Sequence, residues 1–303
     1  MIKKSIYFII IASIILIMFG CEKQAQRLDK SNGQTMPAAG DNTNNQSPET
    51  GIVGSIPAPA FLAGSYEMRV INSGENTVEW AQGGTYSDSQ SQTYTYLMEI
   101  SHTETGLSAR FTFGRISWSV RQNGQIAASM DTAKTEERNE ENGLYYDLIG
   151  QSFTAAVDNQ GNVSSISGVS EIIAAYPSAY QLISEKSLLS VAAEIFYPIP
   201  GVIGNGTSWQ WGSTLYTADR TRDDLIGFLV SGAGQTPPPP EYDAEYDTTM
   251  TTTDISSVQG VLWMNKNNRA VQEVSTAWKS SGTITGAEQA IFSSSTSYVR
   301  VIS

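Results

Sequence analysis

Cys21 is the only thiol in 303 residues, and it stands directly behind an apolar run. A lone cysteine forms neither an intrachain disulfide nor a thiolate metal cluster, so its chemistry reduces to that of a single acceptor or nucleophile. His102 is likewise the only histidine. A Ser-His-Asp triad or a zinc site using imidazole would have to pass through it. It follows the stretch from Tyr94 to Ile100 and precedes Thr103-Glu104-Thr105-Gly106, the place of an exposed turn residue. Asp243, Glu245 and Asp247 alternate with Tyr242 and Tyr246, which puts three oxygen donors on one strand face, as in part of a calcium site. The glycine loop and distal glutamate of such a site are missing. The run Glu136-Glu137-Arg138-Asn139-Glu140-Glu141 reads as a solvated loop, because like charges so close together repel. No phosphate-cradling loop, dinucleotide fingerprint or nucleophile elbow occurs. The reading assigns no catalytic residue, metal or cofactor. A glycosidase-like pair of carboxylates stays open, since that pair is defined by a distance in space.

The residues before Cys21 give it a role. Met1-Ile2-Lys3-Lys4 is basic, Ile6 to Phe19 is apolar apart from Ser13, and Gly20 is small: the three regions of a secretory signal. The run is short for a spanning helix, which needs about 20 apolar residues. Met18-Phe19-Gly20-Cys21 resembles the lipobox of bacterial lipoproteins, with Met18 in the place where leucine is usual. The resemblance implies cleavage after Gly20 and lipid attachment to Cys21. Removal of residues 1–20 takes away Lys3 and Lys4 and no acid, moving the formal charge from −12 to −14. So acidic a chain is a poor binder of phosphate backbones, which excludes nucleic acid as the expected partner. It also leaves membrane attachment to the acyl chains, at about 0.8 kcal/mol per buried methylene.

Residues 21–60 are rich in Gln, Asn, Ser, Gly and Pro and show no helical or strand period, the composition of a flexible tether. Residues 61–303 are read as one β-rich domain. Tyr94, Tyr96, Met98 and Ile100 fall on one strand face, and Thr93, Thr95, Glu99 and Ser101 on the other. The phase then shifts between Phe111/Phe113 and Ile116/Trp118/Val120, which predicts a bulge at Gly114. Hairpin turns are expected at Asn72-Ser73-Gly74, Gln122-Asn123-Gly124, Asp158-Asn159-Gln160-Gly161 and Asn265-Lys266-Asn267-Asn268. Trp118, Trp209, Trp211, Trp263 and Trp278 are read as strand-packing residues.

One segment, about 169–196, has helical spacing, with Pro177 dividing it and a second helix starting near Ser184-Glu185. Leu188, Leu189, Ala192, Ile195 and Phe196 form an apolar stripe. The expected architecture is mainly β: a curved antiparallel sheet or incomplete β-barrel with this helical segment packed on it. The stripe is the candidate ligand-binding surface.

From Leu148 to Trp209 the chain carries Ile149-Gly150-Gln151-Ser152-Phe153-Thr154, the Asp158 to Val163 turn, Gly168, the helical segment, and Tyr197-Pro198-Ile199-Pro200-Gly201-Val202-Ile203-Gly204 before Trp209. This order resembles an uncharacterised family of bacterial envelope lipoproteins, in which a Pro-x-x-Pro-Val-x-x-Gly-Asp-x-Trp stretch follows the helix. Here Asn205-Gly206-Thr207-Ser208 replaces the short Asp linker. The resemblance implies an envelope lipoprotein and no particular activity.

The function expected from these readings is a noncatalytic binding or carrier module for an apolar ligand, lipid or envelope protein, held at the bacterial cell envelope by acyl chains on Cys21. Glu22 follows Cys21, and the outer membrane is the expected residence. The alternative is a hydrolase of envelope glycans working through paired carboxylates.

Overall fold

A computed structural model of the protein describes residues 61–303 apart from 178, 180–181, 197–205, 212, 233–235, 245–246, 269 and 287–288. The signal segment 1–20, Cys21, the 21–60 tether, Tyr197 to Gly204 and Glu245 lie outside the described residues. Among the described residues no helix is long and apolar enough to cross a membrane.

Fourteen described strands form a single sheet with antiparallel pairing. They are β1 (Gly64–Trp80), β2 (Thr85–Thr103), β3 (Gly106–Gln122), β4 (Gln125–Asp131), β5 (Ser152–Asp158), β6 (Val163–Ser167) and β7 (Ser208–Trp211). β8 (Thr214–Arg222), β9 (Leu225–Gly232), β10 (Glu241–Asp243), β11 (Thr248–Ile255), β12 (Gln259–Asn265), β13 (Val271–Gly286) and β14 (Ala290–Ile302) complete it. The main path runs β6-β5-β3-β2-β1-β14-β13-β12-β9-β8-β7 and does not close on itself. A twisted sheet of that many strands curls, as the alternating pattern led one to expect.

The sheet forks twice. β3 pairs with β5 through Gly106–Thr112 and with β4 through Ser117–Gln122, so one strand edge serves two partners. β13 does the same, pairing with β12 near its start and with β11 from Ser280 to Gly286. The long strands β1, β2, β3, β13 and β14 thus run through two levels of the structure.

The expected bulge is present: Tyr94 faces Ile116 and Thr95 faces Arg115, but Tyr96 faces Phe113, leaving Gly114 as the extra residue. Phe111, Phe113 and Ile116 are all buried as a result. Asn123 and Gly124 turn the β3–β4 hairpin at φ 49° and 81°, the left-handed pair that a tight hairpin requires.

Two expectations need correction. Asn72-Ser73-Gly74 is no turn; it lies in the middle of β1, paired with Gln92-Ser91-Gln90 on one side and Tyr298-Ser297-Thr296 on the other. Asn72 and Gly74 lie on the inner face of the sheet there and Ser73 on the outer one, opposite Ser91. The segment 169–196 is not the only helical one either. A 3-10 turn at Thr135–Glu137 and the helix α1 (Gly143–Leu148) connect β4 to β5, burying Tyr146 and Leu148.

The helices α2 (Val169–Ala175) and α3 (Glu185–Ala193) fall where the periodicity placed them. Ser184 caps α3 in a reciprocal box: its hydroxyl accepts from the Ser187 amide at 3.1 Å, and its own amide donates to the Ser187 hydroxyl at 2.9 Å. Gly168, at φ 94°, lets the chain turn from β6 into α2, and a side chain there would strike the Ser152 carbonyl at 2.8 Å.

Candidate functional site

The inner face of β1 reads Met68, Val70, Asn72, Gly74, Asn76, Val78. Its two ends join two separate apolar clusters. The larger contains Met68, Val70, Phe111, Phe113, Phe153 and the helices, and the smaller contains Val78, Tyr86, Ile284, Ala290 and Phe292. Between them the inner face turns polar.

Strand register defines that middle zone as rows of side chains crossing the sheet. One row is Thr276, Tyr298, Asn72, Gln92, Trp118 and Met130, on β13, β14, β1, β2, β3 and β4. The next is Trp278, Thr296, Gly74, Gln90, Val120 and Ala128. A third brings Ser280, Ser294, Asn76 and Asp88 together. Gln90, Gln92, Trp118, Thr276 and Trp278 are half-buried, while Asn72, Asn76, Asp88, Ser280, Thr296 and Tyr298 are buried. Trp278 stacks on Tyr298 with ring centres 5.1 Å apart and planes at 23°. The Gln92 amide donates to the Tyr94 hydroxyl at 2.7 Å.

Several polar atoms in this zone are shielded from solvent and have no hydrogen-bond partner: Asp88 Oδ2, the Tyr86 hydroxyl and Trp118 Nε1. Asp88 is 6% exposed, and its other oxygen accepts from Asn76 Nδ2 at 2.7 Å. Burial pushes the Asp88 carboxyl above its usual range, with the Asn76 hydrogen bond opposing. Burial, followed by the neighbouring Asp88, pushes the Tyr86 phenol up to about 12. A buried polar atom without a partner costs about 1–3 kcal/mol, so a cluster of them calls for a physical reason.

The candidate stripe lies at the upper edge of this zone. Leu188, Ala192, Ile195 and Phe196 are buried in the larger cluster, whereas Leu189 is half-buried. Phe196 meets the ring of Phe61 edge-on at 5.4 Å. Glu194, just beyond α3, forms an ion pair with Arg300 of β14 at 2.6 Å. An Arg300 Nη1 donates to Asn72 Oδ1 at 3.3 Å, which links the helix to the first polar row. Burial raises the Glu194 carboxyl and Arg300 opposes that rise.

Other sequence candidates do not converge here. His102 is exposed at the end of β2, opposite Leu107. Asp243 and Asp247 do not share a strand face, because β10 ends at Asp243 and Asp247, at φ 49°, belongs to the turn into β11, where its carboxylate accepts from the Tyr242 hydroxyl at 3.1 Å. No group of three or more His, Cys, Asp or Glu among the described residues is arranged to hold a metal. Trp209 is buried, stacked on Tyr216 at 4.9 Å. Trp263 is half-buried beneath the Arg222 guanidinium at 4.6 Å.

A polar pocket of about 250 Å³ borders the first row, with Trp118 and Met130 in its lining beside Ser91, Ser117, Asp131 and Lys134. Its charges are already engaged. Arg115 Nε donates to Asp131 Oδ1 at 2.9 Å, which holds the Asp131 carboxyl below its usual range, and Lys134 reaches Glu137 at 2.8 Å.

Sequence reasoning proposed the stripe, read Trp118 and Trp278 as strand-packing residues, and did not find the rows. The signal available was the strict alternation Asn72-x-Gly74-x-Asn76 against Asp88-x-Gln90-x-Gln92, which is a strand pattern with polar residues on both faces.

Set beside known proteins, the chain is similar to a limited set. No curated protein matches it. Among solved structures, the transport unit of the autotransporter AIDA-I from Escherichia coli is similar at 9% identity and a TM-score of 0.21, over 91% of this chain and 96% of that one. The enduracididine biosynthesis enzyme MppR, complexed with the condensation product of pyruvate and imidazole 4-carboxaldehyde, is similar at 7% identity and a TM-score of 0.12, over 80% and 89%. Likenesses this slight carry neither fold nor function. Residues 105–195, from the β2–β3 turn to Ile195 just past α3, match the model of a family of unknown function (DUF6263).

Proposed function

We propose that the chain is a membrane-anchored bacterial envelope lipoprotein whose β-rich domain is a noncatalytic binding module. Anchoring rests on the sequence: a basic start, a short apolar run, a small residue, and the sole cysteine at the point where the lipobox pattern requires it. Outer-membrane residence and contact with a ligand or envelope protein belong to the same proposal.

The observation that carries the binding reading is the polar, aromatic middle of the inner face, where Gln90, Gln92, Thr276, Trp118 and Trp278 stay half-buried between two apolar clusters. A sheet folded only for stability would fill this face with apolar side chains. Accessible polar and aromatic groups gathered on one face are explained by a ligand that pairs with the former and stacks on the latter. The hydrolase alternative needs two converging acids. Among the described residues Asp88 is the one carboxylate in the three rows, and Glu194 is held by Arg300.

The anchoring half is tested by metabolic labelling with a fatty acid. The wild-type chain should incorporate label and fractionate with membranes, and Cys21→Ser should do neither. Label that persists in the variant overturns the assignment of Cys21.

A further inference from the structure

We infer that the polar middle of the inner face binds a neutral, hydroxyl-rich oligosaccharide laid across strands β13, β14, β1, β2 and β3, with Trp278 and Trp118 as its two stacking platforms. This rests on the binding-module reading above and specifies its ligand.

Three features select the class. First, spacing: Trp278 and Trp118 lie in adjacent rows, four strand intervals apart, which at about 4.8 Å per interval places them roughly 19 Å from each other. That is a span for a chain of several units and not for a single small molecule. Second, charge: Arg300, which lies beside the first row, opposite Val70 and Val274, is 2% exposed and committed to Glu194 and Asn72, and the whole chain carries a net charge of −12. No free cation among the described residues of the rows waits for a phosphate or carboxylate. Third, the pattern of donors and acceptors: the half-buried Gln90, Gln92 and Thr276 carry groups that both donate and accept. A hydroxyl can serve all of these, while the flat, apolar face of a sugar ring covers an indole.

A peptide fits less well. The backbone groups of these central strands are already paired on both sides, so an added peptide strand finds no free edge here and would lose the main-chain bonds that make strand addition favourable. An acyl chain would cover Gln90, Gln92 and Thr276 without offering them a hydrogen-bond partner.

The test is tryptophan fluorescence of the full chain in detergent, titrated with chitotetraose, maltotetraose and cellotetraose, and in parallel with a fluorescent fatty acid and a neutral decapeptide. At least one tetrasaccharide should give a saturable change. Trp118→Ala and Trp278→Ala should each weaken it at least ten-fold, and Gln92→Ala, a half-buried change that leaves the core intact, several-fold. Ile291→Ser, at an exposed position of β14, should leave it unchanged. Saturable binding of the fatty acid or the peptide alone, weakened by the same variants, would overturn the saccharide assignment and keep the binding module. No saturable response to any of the five probes would overturn both.

Discussion

Arg300 and Glu194 form an ion pair at 2.6 Å with side chains only 2% and 10% exposed, and through it the last strand of the sheet holds the end of α3. Taking both charges out of water costs several kcal/mol each, and their mutual attraction with the Asn72 contact offsets that cost. The pair is therefore worth most as a fixed connection between helix and sheet. It sits where the apolar cluster gives way to the polar rows.

Arg300→Met should destabilise the domain by about 3–5 kcal/mol, because it strands a buried carboxylate. The loss should depend on pH. Without the guanidinium the Glu194 carboxyl rises further, so the folded state binds a proton that the unfolded state releases at lower pH. The destabilisation is then greatest where Glu194 is ionised in the folded variant, and shrinks as acidification protonates it. Pairing Arg300→Met with Glu194→Leu should recover most of the loss. Chemical denaturation at several pH values checks both statements; a double variant as unstable as the single one would show that the charges, and not their imbalance, hold the helix.

Asp88→Asn makes the opposite prediction. Burial raises the Asp88 carboxyl above its unfolded value near 3.8, so ionised Asp88 costs stability once the pH exceeds its folded value, and that cost disappears below about pH 4. The other titratable group facing it is Tyr86, which stays neutral throughout this range. Asparagine keeps an oxygen for Asn76 and does not titrate. The variant should melt higher than wild type at pH 8, and the difference should vanish toward pH 4. A variant less stable at pH 8 would mean that Asp88 holds the fold through a contact of its charged form.

Much of this architecture is legible in the sequence because its causes are local. The alternation from Tyr94 to Ile100, the phase shift at Gly114 and the Ser184 cap each follow from neighbours within a few residues. Helix α1 escapes notice because Gly143–Leu148 is too short to show a period. Asn72-Ser73-Gly74 misleads for the reverse reason: turn-forming residues are used inside a strand because that part of the inner face is polar. The pairing of Arg300 with Glu194 joins residues far apart in the chain, and nothing in either one's local sequence announces it. The polar rows are legible only once the register of β13, β14, β1, β2 and β3 is known, since a row is a property of five strands at once.

The stripe on α3 gives the last prediction. Leu188 is 3% exposed and belongs to the same cluster as Phe61, Ala192, Ile195 and Phe196. If these side chains fill the space between helix and sheet, Leu188→Ala removes packed methyl groups, leaves a cavity, and costs about 2–5 kcal/mol. A site that holds an apolar ligand instead has room to spare, and the same truncation should then cost about 1 kcal/mol or less while weakening uptake of a fluorescent fatty acid. The edge-on contact of Phe196 with Phe61 at 5.4 Å and the burial of Ile195 to 1% favour the packed outcome. Leu189, half-buried on the same helix, serves as the internal control: Leu189→Ala should cost well under half as much as Leu188→Ala, because less of its surface is removed from water on folding. Equal and small losses at both positions, together with saturable fatty-acid binding by the wild-type domain, would return the ligand to the underside of α3.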